Sequence, residues 1–463
     1  MAQRITIPHI TRIEGHGKIT IHLDDQNQVT KARFHVTQIR GFERFVQGRP
    51  YYEMPAITAR ICGICPVSHL LASSKACDAL LAVRIPPAAR RLRELLHYGQ
   101  FVQSHALSFF HLSSPDLILG FDSDPAQRNV AGLLAADPEL GRDGIALRRF
   151  GQQIIERLGG ERVHPAWTVP GGVSSPLSPD DRDYLLGELP IAHSIAKRTL
   201  KRFKEILDRF TREIEAFGTT PTMYAGLNTK DGLLALYDGI VRFIEPDGKE
   251  VERIEDPLDY GDSIAEASQP DSYLKAPYFR PRGVDKGLYR VGPLARLNVA
   301  EQCGTPEADV ELAEFRQRAG RYAHSSFYYH YARLVEALFA IEKIAVLLDN
   351  SAILDRHVRA HAGVNALEGV GIVEAPRGLL IHHYVVDEDG AMRNANLIVA
   401  TGHNNLAIGH SVAQVAKEFV HGAEIKEGMT NRVQAVVRAY DPCLSCSTHA
   451  LGMDDLPIEI VRG

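Results

Sequence analysis

The chain has 463 residues, 45% hydrophobic and 24% charged, an ordinary globular composition with apolar material for one large core or two to three smaller ones. Its 52 basic and 57 acidic residues are mixed along the chain and sum to a net charge of -5, which leaves no electrostatic footprint for nucleic acid. No stretch is apolar for long enough to span a bilayer, and Met1 to Pro8 lacks the apolar run of a secretory signal, so the cytoplasm is the expected compartment.

In chain order, the alternation in Lys18 to Leu23 and in Val29 to Val36, either side of Asp24-Asp25-Gln26-Asn27, predicts a β-hairpin within an N-terminal region of about residues 1-45. From Pro87 to Leu112 the period changes: Leu92, Leu95, Leu96, Val102, Ala106 and Phe109 recur at helical steps. A second helical stretch is expected from Asp181 to Phe217, interrupted at Pro190, and a third from Glu307 to Leu348. Turn residues signal two further hairpins, Ile240 to Ile244 with Val251 to Ile254, and Leu379 to Val386 with Ala395 to Val399. No repeat, low-complexity tract or linker stands out. The expected fold is mainly α with small antiparallel β-sheets (α+β), folded as one large unit over residues 1-449.

Four of the six cysteines form two CxxC pairs, Cys62 with Cys65 and Cys443 with Cys446, almost the whole chain apart. Six cysteines are too few for a disulfide scaffold, so the pairs point to metal or redox chemistry in a reducing compartment. A structural zinc site usually staples neighbouring loops; so wide a separation suits a centre that joins the ends of a large fold. Zinc, an Fe-S cluster and nickel all remain open on the cysteines alone. His69, four residues past Cys65, and His449, three past Cys446, are placed to donate a hydrogen bond to a ligand sulfur or to bind a second ion, or else are satisfied core residues. Cys77 and Cys303 stand alone and are read as small buried hydrophobes.

The residues from Arg60 to His69 around the first pair, with Asp441 to His449 around the second, resemble the paired signatures of nickel-iron hydrogenase large subunits. Thr11 to His16 and Glu374-Ala375-Pro376-Arg377-Gly378 are similar to two further motifs of that family, in the same order. A finer resemblance, to the large subunit of bidirectional NAD-reducing soluble hydrogenases, is carried by Gly41 to Phe45, Ser104 to Leu112 and Tyr289 to Asn298.

The resemblance implies a helical catalytic subunit that reversibly cleaves H2. Cys62 and Cys443 would be terminal nickel ligands, and Cys65 and Cys446 would bridge nickel to an iron carrying cyanide and carbon monoxide. Glu14 would relay protons, the Arg377 guanidinium would hang over the metals, and Asp441 would pair with it. Glu43, His449 and the carbonyl of Leu397 would hold a magnesium-type ion. Taken alone, Glu14 reads as a surface turn glutamate, Arg377 as a surface arginine after a proline, Asp441 as the start of a turn and Glu43 as a solvated charge. The implied partners are a diaphorase with FMN and NAD, an Fe-S small subunit, and a maturation protease; residues 450-463 are either the extension that it removes or a retained tail, and the active enzyme is expected to end at His449. Ser104 and Ala400 depart from the aspartate and proline of many membrane-bound relatives, so the surroundings of Arg377 are expected to be less acidic. Competing readings are a quinone-binding subunit of a respiratory NADH dehydrogenase, which lacks the cysteines, a zinc-stapled assembly protein, and an unprocessed metal-free precursor.

Overall fold

In a computed structural model of the chain, which describes residues 3–422 and 424–448, each secondary-structure class follows its local chemistry. Tyr329–Asp349 is apolar nearly all round and accordingly buried along most of its length, the behaviour of a central helix. Around it pack Pro87–Ala106 and Pro179–Leu207, with Pro138–Gly159 against both of these. Pro66–Leu81 lies across the strands Glu368–Ala375 and Gly378–Val386. A fully buried Leu or Phe on these faces contributes about 1.5–3 kcal/mol each, which fixes the scaffold on which the chain ends meet.

The sheets are small. Gln3–Ile7, Gly17–Leu23 and Val29–Val36 form an antiparallel three-stranded sheet, so the expected hairpin gains a strand in front of it. Met223–Asn228, Ile240–Ile244 and Glu250–Ile254 form an antiparallel meander, extended by a two-residue parallel pairing with Tyr289–Arg290. Glu368–Ala375, Gly378–Val386 and Met392–Ile398 make a second meander. The expected α+β class with small, almost wholly antiparallel sheets is what the chain adopts.

Three element boundaries differ from expectation. Pro190 does not interrupt its helix, which runs from Pro179 to Leu207; the proline is exposed, where water can serve the carbonyl that loses its partner. The stretch from Glu307 to Leu348 is two helices, Pro306–Ala319 and Tyr329–Asp349. Gly320, at φ +85°, ends the first, and the Ser325 side chain accepts from Phe327 N to open a short 3-10 turn before the second. Beyond Ala106 the helix from Pro87 widens into a π-helical segment, Leu107–Ser113.

One apolar cluster runs from Ile7 in the first strand to Cys446 and contains all four paired cysteines, so the candidate centre lies within the core. No helix of the described residues is long and apolar enough to cross a membrane.

Candidate metal centre

Cys62 follows the helix Met54–Ala59, and Cys65 is the N-cap of Pro66–Leu81, where Pro66 occupies a first-turn position that needs no N–H partner. Backbone N–H groups of Ile64 and Cys65 point at Cys62 Sγ, at 3.2 and 3.3 Å. The loop is braced from behind: Gln103 donates to Ile64 O at 2.6 Å, and Gln100 Oε1 accepts from Val67 N and Ser68 N at 2.7 and 3.2 Å. Gln100 and Gln103 reach it because Gly99 and Gly151 let two helices come close; a Cβ on Gly151 would lie 2.6 Å from Gln103 N.

The second pair arrives from the C-terminal side. Glu427–Tyr440 ends with Asp441 in the left-handed region at φ +53°, which aspartate tolerates, and Pro442 prevents continuation. Cys443 N donates to Thr401 Oγ1 at 2.9 Å. Four sulfurs then converge: Cys62 to Cys443 at 3.4 Å, Cys65 to Cys446 at 3.7 Å and Cys443 to Cys446 at 2.7 Å, all four within 4.8 Å of one another and all buried. Burial pushes the Cys443 and Cys446 thiols well above the ordinary range, while S–H donation from Cys443 first, then Cys446 and Cys65, pulls Cys62 well below it. Such a set favours a cation that replaces the protons, and four soft donors select a soft transition metal.

Arg377 is the second central residue of a two-residue hairpin, since Ala375 pairs with Gly378. Gly378 adopts φ +136°, and a Cβ there would lie 2.9 Å from Gly292 N, so no other residue fits. The guanidinium is buried. Its Nε donates to Asp441 O at 2.6 Å, Nη2 lies 3.2 and 3.1 Å from the two Asp441 carboxylate oxygens, and Nη1 reaches Ser104 Oγ at 3.4 Å. Burial opposes its charge, but Asp441, Cys443, Cys65 and Cys62 outweigh it and hold Arg377 protonated. Burial raises the Asp441 carboxyl, against the pull of Arg377 and Arg333.

Glu14 is half-buried and forms an isolated parallel bridge with Cys443. Its carboxylate accepts from Ser445 N at 3.1 Å and from Ser445 Oγ, and Leu444 N donates to its carbonyl at 3.2 Å. Gly15, at φ +86°, permits this approach; a Cβ there would stand 2.7 Å from Leu444 Cβ. The loop is tied down through Arg12, which donates to Asp116 at 2.6 Å, and Asp116 also takes Arg438 at 2.7 Å.

The remaining candidates divide. His69 is buried four residues past Cys65, and its Nδ1 lies 3.1 Å from His382 Nε2, whose own Nδ1 meets Tyr384 OH at 2.7 Å; burial lowers His69 to about 4. Glu43 is only 2% exposed, which removes the solvated-charge reading, and its Oε1 accepts from Leu397 N at 2.8 Å. Glu43, Leu397, Glu266 and Lys275 line one small pocket with Ser447. His449 and residues 450-463 lie outside the described residues. Cys77 and Cys303 are buried away from the cluster, their thiols raised by burial.

Sequence reasoning missed Ser445, Arg333 and Arg40. Arg40 donates from Nη1 to Ile61 O at 2.5 Å and Ser445 O at 3.4 Å, clamping both cysteine loops. Its one signal is its place immediately before Gly41 to Phe45.

A model of the family described as nickel-dependent hydrogenase matches residues 40–135 and 242–449, and a HoxL-like model matches residues 4–39. The chain is 40% identical over 476 residues to the beta subunit of the NAD-reducing hydrogenase HoxS of Cupriavidus necator, covering 99% of this chain and 97% of that one. It is likewise 40% identical over 467 residues to a polypeptide of the F420-non-reducing hydrogenase vhc of Methanococcus voltae, covering 99% and 98%. Among solved structures, an NAD+-reducing [NiFe]-hydrogenase in the H2-reduced state superposes with a TM-score of 0.94 at 45% identity, over 96% of this chain and 99% of that one. With four buried sulfurs drawn from its two ends and relatives matched along nearly its whole length, the chain belongs to the nickel-dependent hydrogenase family as a large subunit carrying the nickel-iron centre.

Proposed function

We propose that this chain, as one catalytic unit over residues 1-449, reversibly cleaves H2 and passes the electrons through an Fe-S small subunit, then through an FMN-containing diaphorase, to NAD. One observation carries the reading: the buried four-sulfur cluster has a buried, permanently charged guanidinium on one side and a carboxylate, Glu14, reaching its loop from the less buried side. Zinc would also accept four sulfurs, but a zinc staple needs neither Arg377 nor Glu14. The NADH dehydrogenase reading requires lost cysteines, and all four are present.

In this reading Cys62, Cys65, Cys443 and Cys446 would together hold the nickel-iron centre. A nickel-iron pair bound there supplies the redox-active metals at which H2 is split heterolytically. The protein's own part is electrostatic and protonic. Arg377 would offer its remaining N–H donors to ligands of that centre, and Asp441 holds its guanidinium in one orientation. Glu14 takes the proton from the cysteine loop and hands it outward, with Ser445 fixing its carboxylate in place. Glu43 shares a small pocket with Leu397, Glu266 and Lys275, of which Glu266 is already paired with Lys275, and we assign Glu43 to an Mg2+ site with the Leu397 carbonyl and His449.

The only other cysteines, Cys77 and Cys303, stand apart from each other and from the cluster, so electrons leave through the partner's Fe-S clusters. Two unpaired buried thiols suit the cytoplasm. A maturation protease cleaving after His449 completes the proposal. The test is H2-dependent reduction of NAD by the assembled complex. Loss of that activity in Cys65→Ser, with the complex still assembled, is the expected result; undiminished activity would refute it.

A further inference from the structure

Three sequence motifs have members that the proposed chemistry leaves unused: His105 beside Ser104, Arg296 within Tyr289 to Asn298, and Glu374 three residues before Arg377. In the fold they converge. Arg296 is buried with 1% exposure, and every one of its five N–H donors has an acceptor. Nε lies 2.6 Å from Glu336 Oε1 and Nη2 2.7 Å from Glu336 Oε2, a bidentate pair, while Nη1 lies 2.7 Å from Glu374 Oε2. Nη1 also donates to Ala375 O at 3.0 Å and Nη2 to Pro376 O at 3.1 Å. The carboxylates are fixed in turn, Glu336 by His105 Nε2 at 2.9 Å and Glu374 by Leu227 N at 2.9 Å.

Ala375 and Pro376 carry the last two carbonyls before Arg377. The hairpin there has only two central residues, and the proline ring restricts one of them. The peptide plane from Pro376 to Arg377 is rigid, so holding the Pro376 carbonyl fixes the direction in which the Arg377 chain leaves the turn. A buried ion-pair cluster of this kind is weak evidence for stability, because well-packed apolar residues often do as well. Its geometry explains it better: a planar fork matches two carboxylates and two adjacent carbonyls at once, which a lysine cannot do. Resting on the reading that Arg377 serves the reacting centre, we propose that Arg296 is a positioning residue for Arg377, anchoring the Ala375 to Gly378 turn so that the guanidinium meets Asp441 and the cysteines in one orientation.

The test compares Arg296→Lys, Arg377→Lys and the double variant in the assembled complex, reading kcat, the KM for H2 and nickel content. A displacement of about 1 Å at a reacting group costs about 10²-fold, so Arg296→Lys is expected to lower kcat by about that factor with the KM and nickel content held. In the Arg377→Lys background it should cost nothing further, because its effect passes through the residue already altered. A merely structural role would instead multiply the two losses, and that result, or an unchanged kcat, overturns the proposal. Hydrogen exchange in the peptide spanning Ala375 to Gly378, followed in the metal-free chain, needs neither metal nor turnover. Faster exchange there in Arg296→Lys than in wild type is expected, and equal exchange also overturns it. Should Arg296→Lys not fold, Glu374→Gln, isosteric and still able to accept from Leu227, carries the same comparison. Should Arg377→Lys itself turn over like wild type, the role of Arg377 fails while the exchange result still decides whether Arg296 anchors the turn.

Discussion

Glu14→Gln separates proton transfer from every other task at the site. The substitution keeps length and shape. An amide oxygen can still accept from Ser445 N, now at 3.1 Å, and the Ser445 hydroxyl, which donates to the carboxylate, can turn to accept from the amide nitrogen. No hydrogen bond need be lost, and the side chain is half-buried, so the cost to folding should stay below about 1 kcal/mol. What disappears is a group that can take and release a proton, worth about 10²–10⁴ in rate. Glu14→Gln is therefore expected to lower kcat for H2 oxidation with an artificial electron acceptor by about 10²–10⁴, at unchanged KM for H2 and unchanged metal content. Glu14→Asp, one methylene short but still ionisable, should recover part of the rate. Ser445→Ala keeps the backbone donor and should lose less than about tenfold, because orientation is weakened while the proton carrier remains. If Glu14→Gln turns over within about threefold of wild type, proton transfer does not run through Glu14.

Three further outcomes are expected. Burial pushes His97, His330 and His403 down to about 3 and His69 and His105 to about 4, so below the unfolded value near 6.5 the unfolded chain binds more protons. Their contribution is complete above pH 6.5 and is lost as pH falls towards 4, by about 1.4 kcal/mol per pH unit for each histidine. Glu374, raised to about 7 by burial, acts oppositely between its unfolded value and pH 7, and burial also raises Glu94 and Asp441, which makes three groups against five. Chemical denaturation of the metal-free chain should show falling stability from pH 7 to 5, and rising stability would contradict the burial of these rings. Gly151→Ala should cost about 1–3 kcal/mol by overpacking against Gly99 and Gln103, and should lower nickel occupancy because Gln103 braces the Cys62 loop; a thermal scan with metal analysis reads both. Intact mass of fully active material should end at His449, and active material retaining residues 450-463 would refute the maturation step.

The fold class was legible because periodicity changes cleanly along the chain, and the hairpins because Asp, Asn and Gly mark their turns. The helix ends near Gly320 and at the π-helical Leu107–Ser113 depend on which backbone groups find partners in the folded state, and a period count carries little of that. Pro190 misled because a proline breaks a helix only where its lost bond cannot be replaced, and here that position faces solvent. The four cysteines stood out by type and spacing. Ser445 and Arg40 did not, since each acts by touching a loop far away in sequence. Arg296 and Glu374 were visible as parts of motifs, but their convergence on one turn needed the three-dimensional arrangement.

The most direct test of the central claim is elemental analysis of the purified, active chain together with its infrared spectrum. Nickel and iron near one each per chain, with bands from bound cyanide and carbon monoxide, are the expected result for four cysteines holding a nickel-iron centre. Zinc alone in active material, without those bands, would contradict it and return the cysteine cluster to a structural role.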